Sequence, residues 1–320
     1  MGRCVNLSGM GSDPGGFTVV RPGMLTTVQD LGRPGYQGLG VPVSGPMDSY
    51  SHRLANQLLG NDPSAAALEV TLLGPELTAD VEVTCAVTGA DIAVTVDGRV
   101  VPANAPFVVP AGARLRWGPR TRGTRMTLAV RGGFALPQTL GSRATHLASR
   151  MGPFGGRALR AGDRLPVGGS VRGGGRAGTP LEIPDGGARL RILPAVHRER
   201  FTDEAWTRLV GERFTISPQS NRMGYRLDGP VLTHIGAADI LSEAIPNGVI
   251  QVPSSGQPIL LLVERATTGG YATIANVITA DLPTAGQLAP GDWIEFAAVD
   301  RAEAIDALRR RESALTGTAP

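Results

Sequence analysis

Two short turns of this 320-residue chain carry an arginine in the same local setting. Arg33 opens the sequence Arg-Pro-Gly-Tyr, and Arg222 opens Arg-Met-Gly-Tyr. A guanidinium binds a carboxylate or a phosphoryl group through two parallel hydrogen bonds, so either arginine is a candidate for binding an anionic substrate. Carboxylates in the surrounding segments could act as bases or orient a reacting group. The predicted catalytic residues are therefore Arg33, Arg222, Asp30, Glu243 and Glu264.

Neutral polar groups in the same segments are suited to binding a small amide or carboxylate. Glutamine offers a donor and an acceptor, tyrosine offers a hydroxyl, and consecutive glycines can present backbone N–H groups to an anion. The predicted substrate-binding residues are Gln29, Asp48, Gln251, Gln257, Thr267, Thr268, Gly269, Gly270 and Tyr271. Structural alternatives stay open: the arginines could anchor turns, Asp48 could support a helix, and residues 267–271 could be a plain hairpin connection.

The chain contains no lysine, so all 31 basic residues counted as Lys+Arg are arginine. A guanidinium does not lose its proton and cannot replace an amine. This excludes a lysine Schiff base, a P-loop lysine, biotin carried covalently on this chain, and the Ser–Ser–Lys relay of amidase-signature enzymes.

Several other classes of site are not expected. The four histidines lack ligand spacing, so no metal site is predicted, and His52 is predicted to face solvent from a helix. Arg120, Arg122, Arg125 and Arg131 form a basic stretch without interleaved aromatics, which favours a solvated strand face over nucleic-acid binding.

The N-terminal sequence, the length of the apolar segments and the two cysteines favour a cytoplasmic protein. The first residues lack a signal peptide's apolar core, and no segment approaches the roughly 20 apolar residues that span a bilayer. Cys4 and Cys85 do not form a disulfide framework, and Cys85 lies inside an apolar run, which predicts a buried small hydrophobe.

The elements that must position these residues are predicted to be mostly strands. Glycine (44) and proline (25) are abundant, and β-branched runs bounded by turn residues follow one another from residue 67 to 133. Asp97–Gly98 predicts a two-residue hairpin. A helix with Pro46 and Asp48 in its first turn is predicted to end at Gly60, and short helices are predicted at 203–210 and after Asp300, with Ala304, Ile305 and Leu308 on one face.

Three short sequences recur in the same order in the two halves of the chain: residues 33–36 and 222–225, 74–77 and 229–232, and 110–117 and 289–296. The repetition predicts two related β-barrels on either side of a glycine-rich linker. The predicted organisation is a disordered leader at 1–16, a first barrel at 17–170, a linker at 171–187, a second barrel at 188–302, and a C-terminal helix and tail at 303–320.

Longer blocks of the sequence carry a family resemblance. The segment LTTVQDLGRPGYQGLGVPVSGPMDSYSHRLANQLLGN resembles the opening of the biotin-dependent carboxyltransferase family, whose members have been called allophanate hydrolase subunit 2, KipA-like protein and a 5-oxoprolinase subunit, designated C, of an ATP-dependent enzyme. Later blocks in the same order are SNRMGYRLDGP, SEAIPNGVIQVPSSGQPILLLVERATTGGY and LAPGDWIEF, so the resemblance covers roughly Phe17 to Val299. It implies a mainly β fold of two cyclophilin-like β-barrel subdomains with a few short helices.

The resemblance also implies a reaction and a partner. The implied function is that of one subunit of an ATP-dependent 5-oxoprolinase, which hydrolyses the C–N bond of a cyclic amide to give L-glutamate. The implied partners are a KipI-like subunit, designated B (allophanate hydrolase subunit 1), and a separate lactam-hydrolase subunit. Because the chain has no Walker loop, the ATP site is expected to be unconventional or to lie on a partner.

Two alternatives remain within the family. The chain could be the carboxyltransferase half of a biotin-dependent enzyme of the urea or allophanate type, accepting a carboxyl group from carboxybiotin on another chain. It could also be a non-enzymatic, KipA-like regulator that binds a KipI-like protein. For either enzyme, our hypothesis is that the arginine-bearing turns of the two barrels converge on one cleft.

Overall fold

The computed structural model describes residues 15–169, 171 and 173–317. The described chain is mainly β, as predicted, and each half is organised around its own sheet. Residues 1–14, including Cys4, lie outside the described residues, and β1 begins at Gly16. The other predicted domain boundaries stay a prediction.

The first half is built on a nine-stranded sheet with the path β2-β3-β8-β4-β1-β9, and β5 pairs with β6, β7 and β8. Two long strands dominate it, because β5 and β8 run antiparallel through several register shifts and bend the sheet around one apolar core. The strands are β1 Gly16–Arg21, β2 Leu25–Gln29, β3 Ala67–Thr71, β4 Glu76–Ala79, β5 Val83–Val96, β6 Arg99–Val100, β7 Pro106–Val109, β8 Arg114–Val130 and β9 Arg164–Pro166.

The second half is a closed barrel with the order β10-β17-β14-β15-β12-β11-β18. The barrel closes through β10 and β18, its parallel pair. A separate two-stranded sheet, β13 with β16, stands beside it. The strands are β10 Gly187–Pro194, β11 Arg213–Ile216, β12 Gly224–Asp228, β13 Asp239–Ala244, β14 Val249–Gln251, β15 Ile259–Leu261, β16 Thr268–Tyr271, β17 Thr273–Val277 and β18 Trp293–Ala298.

The helices are short and few. They are α1 Ser49–Leu58, α2 Pro153–Gly156, α3 Asp203–Gly211, α4 Leu282–Gly286 and α5 Arg301–Thr316, with 3-10 turns at Gln37–Leu39, Arg198–Arg200 and Thr279–Asp281. Within the described part of the chain, none of them combines the length and apolarity that a membrane-crossing helix requires.

Helix α5 and the segment between β9 and β10 tie the halves together. Leu315 near the end of α5 joins Tyr50 and Leu54 of α1 in an apolar cluster, and Arg53 pairs with Glu312 through two hydrogen bonds of 2.7 and 2.6 Å. The intervening segment passes close to the same helix, where the Tyr50 hydroxyl donates to the Thr179 carbonyl at 2.6 Å.

Most local predictions are confirmed. Asp48 caps α1 by accepting from Ser51 N at 2.8 Å, and Asp300 caps α5 in a reciprocal capping box with Glu303. Asp97 and Gly98 both have positive φ, 47° and 81°, as a two-residue hairpin turn requires. Cys85 is fully buried.

Three local predictions are wrong. His52 is only 1% exposed, because this side of α1 faces the first sheet rather than solvent. Arg125 is 7% exposed, because its part of β8 faces the second half of the molecule. Ile305 is 40% exposed, although Ala304 and Leu308, the residues predicted to share its face, pack against the cluster of Ile278, Ala280 and Ala307.

Candidate functional site

The two halves meet around a cavity of about 510 Å³, which we call the central cavity. The first half contributes residues from β2, β3 and β8 together with Leu147 and Ala148. The second half contributes residues 220–223 of the β11–β12 turn, Glu264 and Pro290. Most of the exposed wall is apolar, and both halves also contribute polar residues to it. This combination is typical of a small-molecule site.

Arg222 is the central charge of this junction. Its side chain is 4% exposed, and its Nε donates to Glu264 Oε1 at 2.6 Å while its Nη1 pairs with Glu69 Oε1. Its Nη2 donates to the Gly45 carbonyl at 2.7 Å. Burial lowers the pKa of the Arg222 guanidinium, but the two glutamates outweigh burial and raise it above its ordinary value. Arg222 therefore stays charged and is already neutralised by protein carboxylates.

A second buried arginine joins β8 to α4. Arg125 donates through Nη1 to the hydroxyl of Tyr225 at 3.0 Å and to the carbonyls of Gly286 and Leu288. The Tyr225 hydroxyl donates in turn to the carbonyls of Ala285 and Leu288, at 3.1 and 2.9 Å. These contacts fix the wall of the central cavity across the boundary between the two halves.

Two polar atoms of that wall lack a hydrogen-bond partner among the described residues: Thr124 Oγ1 and Arg125 Nε. Both are shielded from solvent. A buried donor left unpaired costs roughly 1–3 kcal/mol. Neither atom is exposed to a ligand in the central cavity, so both add to the energetic cost of the junction.

Asp48 contributes to the junction rather than to the cavity surface. Besides capping α1, its carboxylate accepts from Gln287 Nε2 at 2.6 Å. Gln287 Oε1 accepts from the backbone N–H groups of Thr124 and Arg125, at 3.0 and 3.1 Å. Burial raises the pKa of the Asp48 carboxyl above its ordinary value, opposed by hydrogen bonds from Ser51 and Gln287.

Arg33 does not line the central cavity. It is 1% exposed, and its Nη2 and Nε donate to the carbonyls of Ala144 and Thr139. Burial lowers the pKa of its guanidinium, opposed by the nearby Asp30. The predicted pairing of Arg33 and Arg222 in one pocket is not what the structure shows, because Arg33 anchors a loop of its own half.

Asp30 and Gln29 hold the same loop. Asp30 Oδ1 accepts from Gly32 N at 2.9 Å and from the Ser142 hydroxyl at 2.5 Å, and its other oxygen accepts from Arg143 N. Gln29 Nε2 donates to the Thr145 carbonyl at 3.1 Å. The loop runs on to Leu147 and Ala148 in the wall of the central cavity. Gln29, Asp30 and Arg33 are thus placed to position that wall, not to touch a ligand.

The remaining predicted residues of the second half gather around the two-stranded sheet. Glu243 on β13 is paired in register with Gly269 on β16, as is Asp239 with Tyr271. Glu243 also lies 3.5 Å from His197 Nδ1, and Gln251 Nε2 donates to the Tyr271 carbonyl at 3.4 Å. Residues 268–271 form a strand with Gly270 in its interior. Gln257 is elsewhere, where it holds Gly229 by two 3.1 Å hydrogen bonds.

Thr267 lies in a second cavity of about 270 Å³, the lateral cavity. Its walls are Gln37, Pro42 and Val43 from the first half and residues 244–246 and 265–267 from the second. Glu264 lines the central cavity and Arg265 lines the lateral one, so the two cavities adjoin opposite sides of a single turn.

Sequence reasoning missed Glu69, Arg125, Gln287 and Arg265. Glu69 lies in a run that contains β-branched residues, where nothing in the sequence distinguishes it from an ordinary strand residue. The one signal for Arg265 was its position between the predicted Glu264 and Thr267. No comparable signal in the sequence marks Gln287, whose partners are more than 160 positions away.

The geometry suits binding and orientation more than acid–base catalysis by this chain alone. The buried carboxylates Glu69 and Glu264 are both engaged by Arg222. No group of three or more His, Cys, Asp or Glu side chains in the described ranges is arranged to hold a metal ion. The central cavity instead offers apolar walls and a few fixed donors.

Comparison with known proteins agrees with this architecture. The chain is 38% identical to the 5-oxoprolinase subunit designated C of Escherichia coli over 90% of this chain and 93% of that protein, and 38% identical to the Haemophilus influenzae protein of the same name over 89% and 92%. Its fold matches the crystal structure of the urea amidolyase of K. lactis with a TM-score of 0.91 and 30% identity, covering 98% of this chain but 20% of that one.

A family model also matches most of the chain. The model, described as carboxyltransferase domain, subdomain A and B, aligns with residues 39–298. That range includes all but the first strands of the nine-stranded sheet and the whole closed barrel. The chain belongs to the family of carboxyltransferase domains made of subdomains A and B.

Proposed function

We propose that the chain is one subunit of an ATP-dependent 5-oxoprolinase, which opens the cyclic amide of 5-oxoproline to give L-glutamate. Two bacterial relatives that are 5-oxoprolinase subunits by name match the chain along nearly their whole length. The observation in the structure that carries the proposal is the central cavity, where both halves supply the walls and polar side chains stand among apolar ones.

The chemistry of the cavity suits a small lactam. Leu25, Leu72 and Met223 supply apolar surface for the ring. Ser220 and Asn221, which are not buried, supply a hydroxyl and an amide for a carbonyl or carboxylate oxygen. In this proposal the chain binds and orients the substrate.

The polar groups of the central cavity do not suit a nucleoside triphosphate. Phosphoryl transfer requires several cations around the phosphates. In the described wall of the central cavity, Arg222 is neutralised by two glutamates, which leaves Arg125 as the one arginine without a carboxylate partner. We therefore place ATP on another protein of the complex, and no step through ATP is assigned to this chain.

The partner in this proposal is a KipI-like protein (allophanate hydrolase subunit 1), with a further lactam-hydrolase subunit. The support is that the shared name of the two bacterial relatives designates one subunit of an enzyme, which implies companions. Glu264 in the wall of the central cavity is paired with Arg222, as is the buried Glu69, so we assign the hydrolytic base to another chain.

A second candidate function is carboxyl transfer. The family model is a carboxyltransferase domain, and the fold matches part of a urea amidolyase. In that case the central cavity would accept a carboxyl group delivered on a biotin carried by another protein, because this chain has no lysine to carry it.

Reconstitution separates these functions. The purified chain is combined with its candidate partner subunits, 5-oxoproline and ATP, and glutamate is measured over time. We expect release that needs ATP and stops when this chain is omitted. Release that is unaffected by omitting the chain, or absent with all subunits and saturating 5-oxoproline, contradicts the proposal. Carboxylation of urea by the chain together with a biotin carboxylase and carrier would instead support the second function.

A further inference from the structure

Arg265 carries a charge that no carboxylate of the described chain neutralises. Its Nε donates to the Ile245 carbonyl at 2.8 Å and its Nη1 to the Leu262 carbonyl at 3.3 Å. No carboxylate in the described ranges lies within salt-bridge distance of it, in contrast to Arg222, which pairs with two. The two carbonyls fix the orientation of the guanidinium fork while leaving Nη2 without a described partner.

Burial makes this charge costly. Desolvation lowers the pKa of the Arg265 guanidinium below its ordinary value, with no opposing charge to restore it. Two neutral carbonyls compensate a partly buried cation less well than a carboxylate does. A site of this kind gains stability when an anion binds beside the guanidinium.

The lateral cavity provides the space for that anion. It measures about 270 Å³, and among the described residues that line it Arg265 is the one that carries a charge. Gln37 and Thr267 add an amide and a hydroxyl, and the other walls are alanine, proline, valine and isoleucine side chains. Gln37 Oε1 accepts from Gly35 N at 2.7 Å, which fixes that end of the amide and leaves its NH2 group as a donor. The volume and the single positive charge match a small monocarboxylic acid better than a polyphosphate.

We propose that the lateral cavity is a binding site for a small monocarboxylate, held by Arg265 with help from Gln37 and Thr267. Both halves of the molecule build the site, so it exists only when they are docked together. The site adjoins the central cavity through the Glu264–Arg265 turn. The proposal does not depend on the reaction assigned to the complex.

Matched acid and amide pairs test the proposal on the full purified chain. Binding of propionate and butyrate is measured by calorimetry and compared with propionamide and butyramide, the corresponding amides, which carry no charge. We expect each acid to bind the wild-type protein at least about tenfold more tightly than its neutral counterpart, as charge-assisted hydrogen bonds predict. In Arg265→Gln the ratio of acid affinity to amide affinity should fall towards one.

Arg309→Gln is the matched control, since Arg309 lies on α5 with its side chain 75% exposed and should leave the preference unchanged. If Arg265→Gln fails to fold, Thr267→Val takes its place and should weaken acid binding several-fold. An equal affinity for acid and amide in the wild type, or a preference that survives these substitutions, overturns the proposal. A clear preference in a chain that supports no glutamate release contradicts the proposed function and leaves this site standing.

Discussion

At the scale of single residues, the junction is defined by buried charges that already have partners. Arg222, Glu69 and Glu264 are each no more than 4% exposed on their side chains. Removing one member of such a group leaves an uncompensated charge, which is more damaging than replacing all of them. Arg222, which the sequence predicts to be catalytic, therefore holds the junction together through its pairs with Glu69 and Glu264.

His52 gives a prediction on pH. Burial lowers the pKa of its imidazole to about 4, from 6.5 in the unfolded chain. The unfolded chain therefore binds more protons between these values, and His52 costs stability as the pH falls from 6.5 towards 4, by up to about 3 kcal/mol. Above pH 6.5 the contribution is constant.

The measurement is urea unfolding from pH 4.5 to 8 for the wild type and His52→Gln. The difference in unfolding free energy should shift in favour of the variant as the pH falls below 6.5. Asp48 has the opposite pH dependence, because burial raises the pKa of its carboxyl, but it is present in both proteins and cancels. A pH-independent difference would show that His52 is solvated in the folded protein.

At the scale of elements, helix starts and a hairpin turn were predictable from a few neighbouring residues. Asp48 and Asp300 mark helix starts because a carboxylate caps the first turn, and Asp97–Gly98 marks a hairpin because both positions need positive φ. The face of α5 was not predictable in the same way. Its buried positions depend on where α1 lies, against Leu315, and on where Ile278 and Ala280 lie, against Ala307, and none of these is local in sequence.

That face can be tested with two substitutions on the same helix. Leu315→Ala removes a side chain that is 2% exposed, and Ile305→Ala removes one that is 40% exposed. We expect Leu315→Ala to lower the unfolding free energy by about 2–4 kcal/mol, because it opens a cavity between α5 and α1. Ile305→Ala should cost less than about 1 kcal/mol. Equal losses in denaturant unfolding would mean that α5 does not dock as described.

At the scale of the whole molecule, two sheets share one polar boundary. Arg125, Gln287 and Arg222 each reach across it, to partners 100 to 239 positions away in the sequence. A mainly β fold was predictable from β-branched runs and glycine-rich turns. Which polar groups face each other across the boundary was not, because it depends on how the two halves dock. Arg33 and Arg222 illustrate this, since similar turns place one within a single half and the other at the junction.

The account rests on the central cavity as the place where substrate binds. Ala148 lines it from an exposed loop, so Ala148→Trp should fill the cavity without disturbing the buried junction. Ala302→Trp places the same side chain on exposed α5, away from both cavities, and serves as the control. Size-exclusion chromatography of each reconstituted complex establishes that assembly is intact.

The decisive measurement is kcat/KM for 5-oxoproline, from ATP-dependent glutamate release by these assembled complexes. We predict that Ala148→Trp lowers kcat/KM more than about tenfold, a barrier increase of roughly 1.4 kcal/mol, while Ala302→Trp matches the wild type. A fully assembled Ala148→Trp complex with wild-type kcat/KM would contradict the account, because substrate would then bind somewhere other than the central cavity.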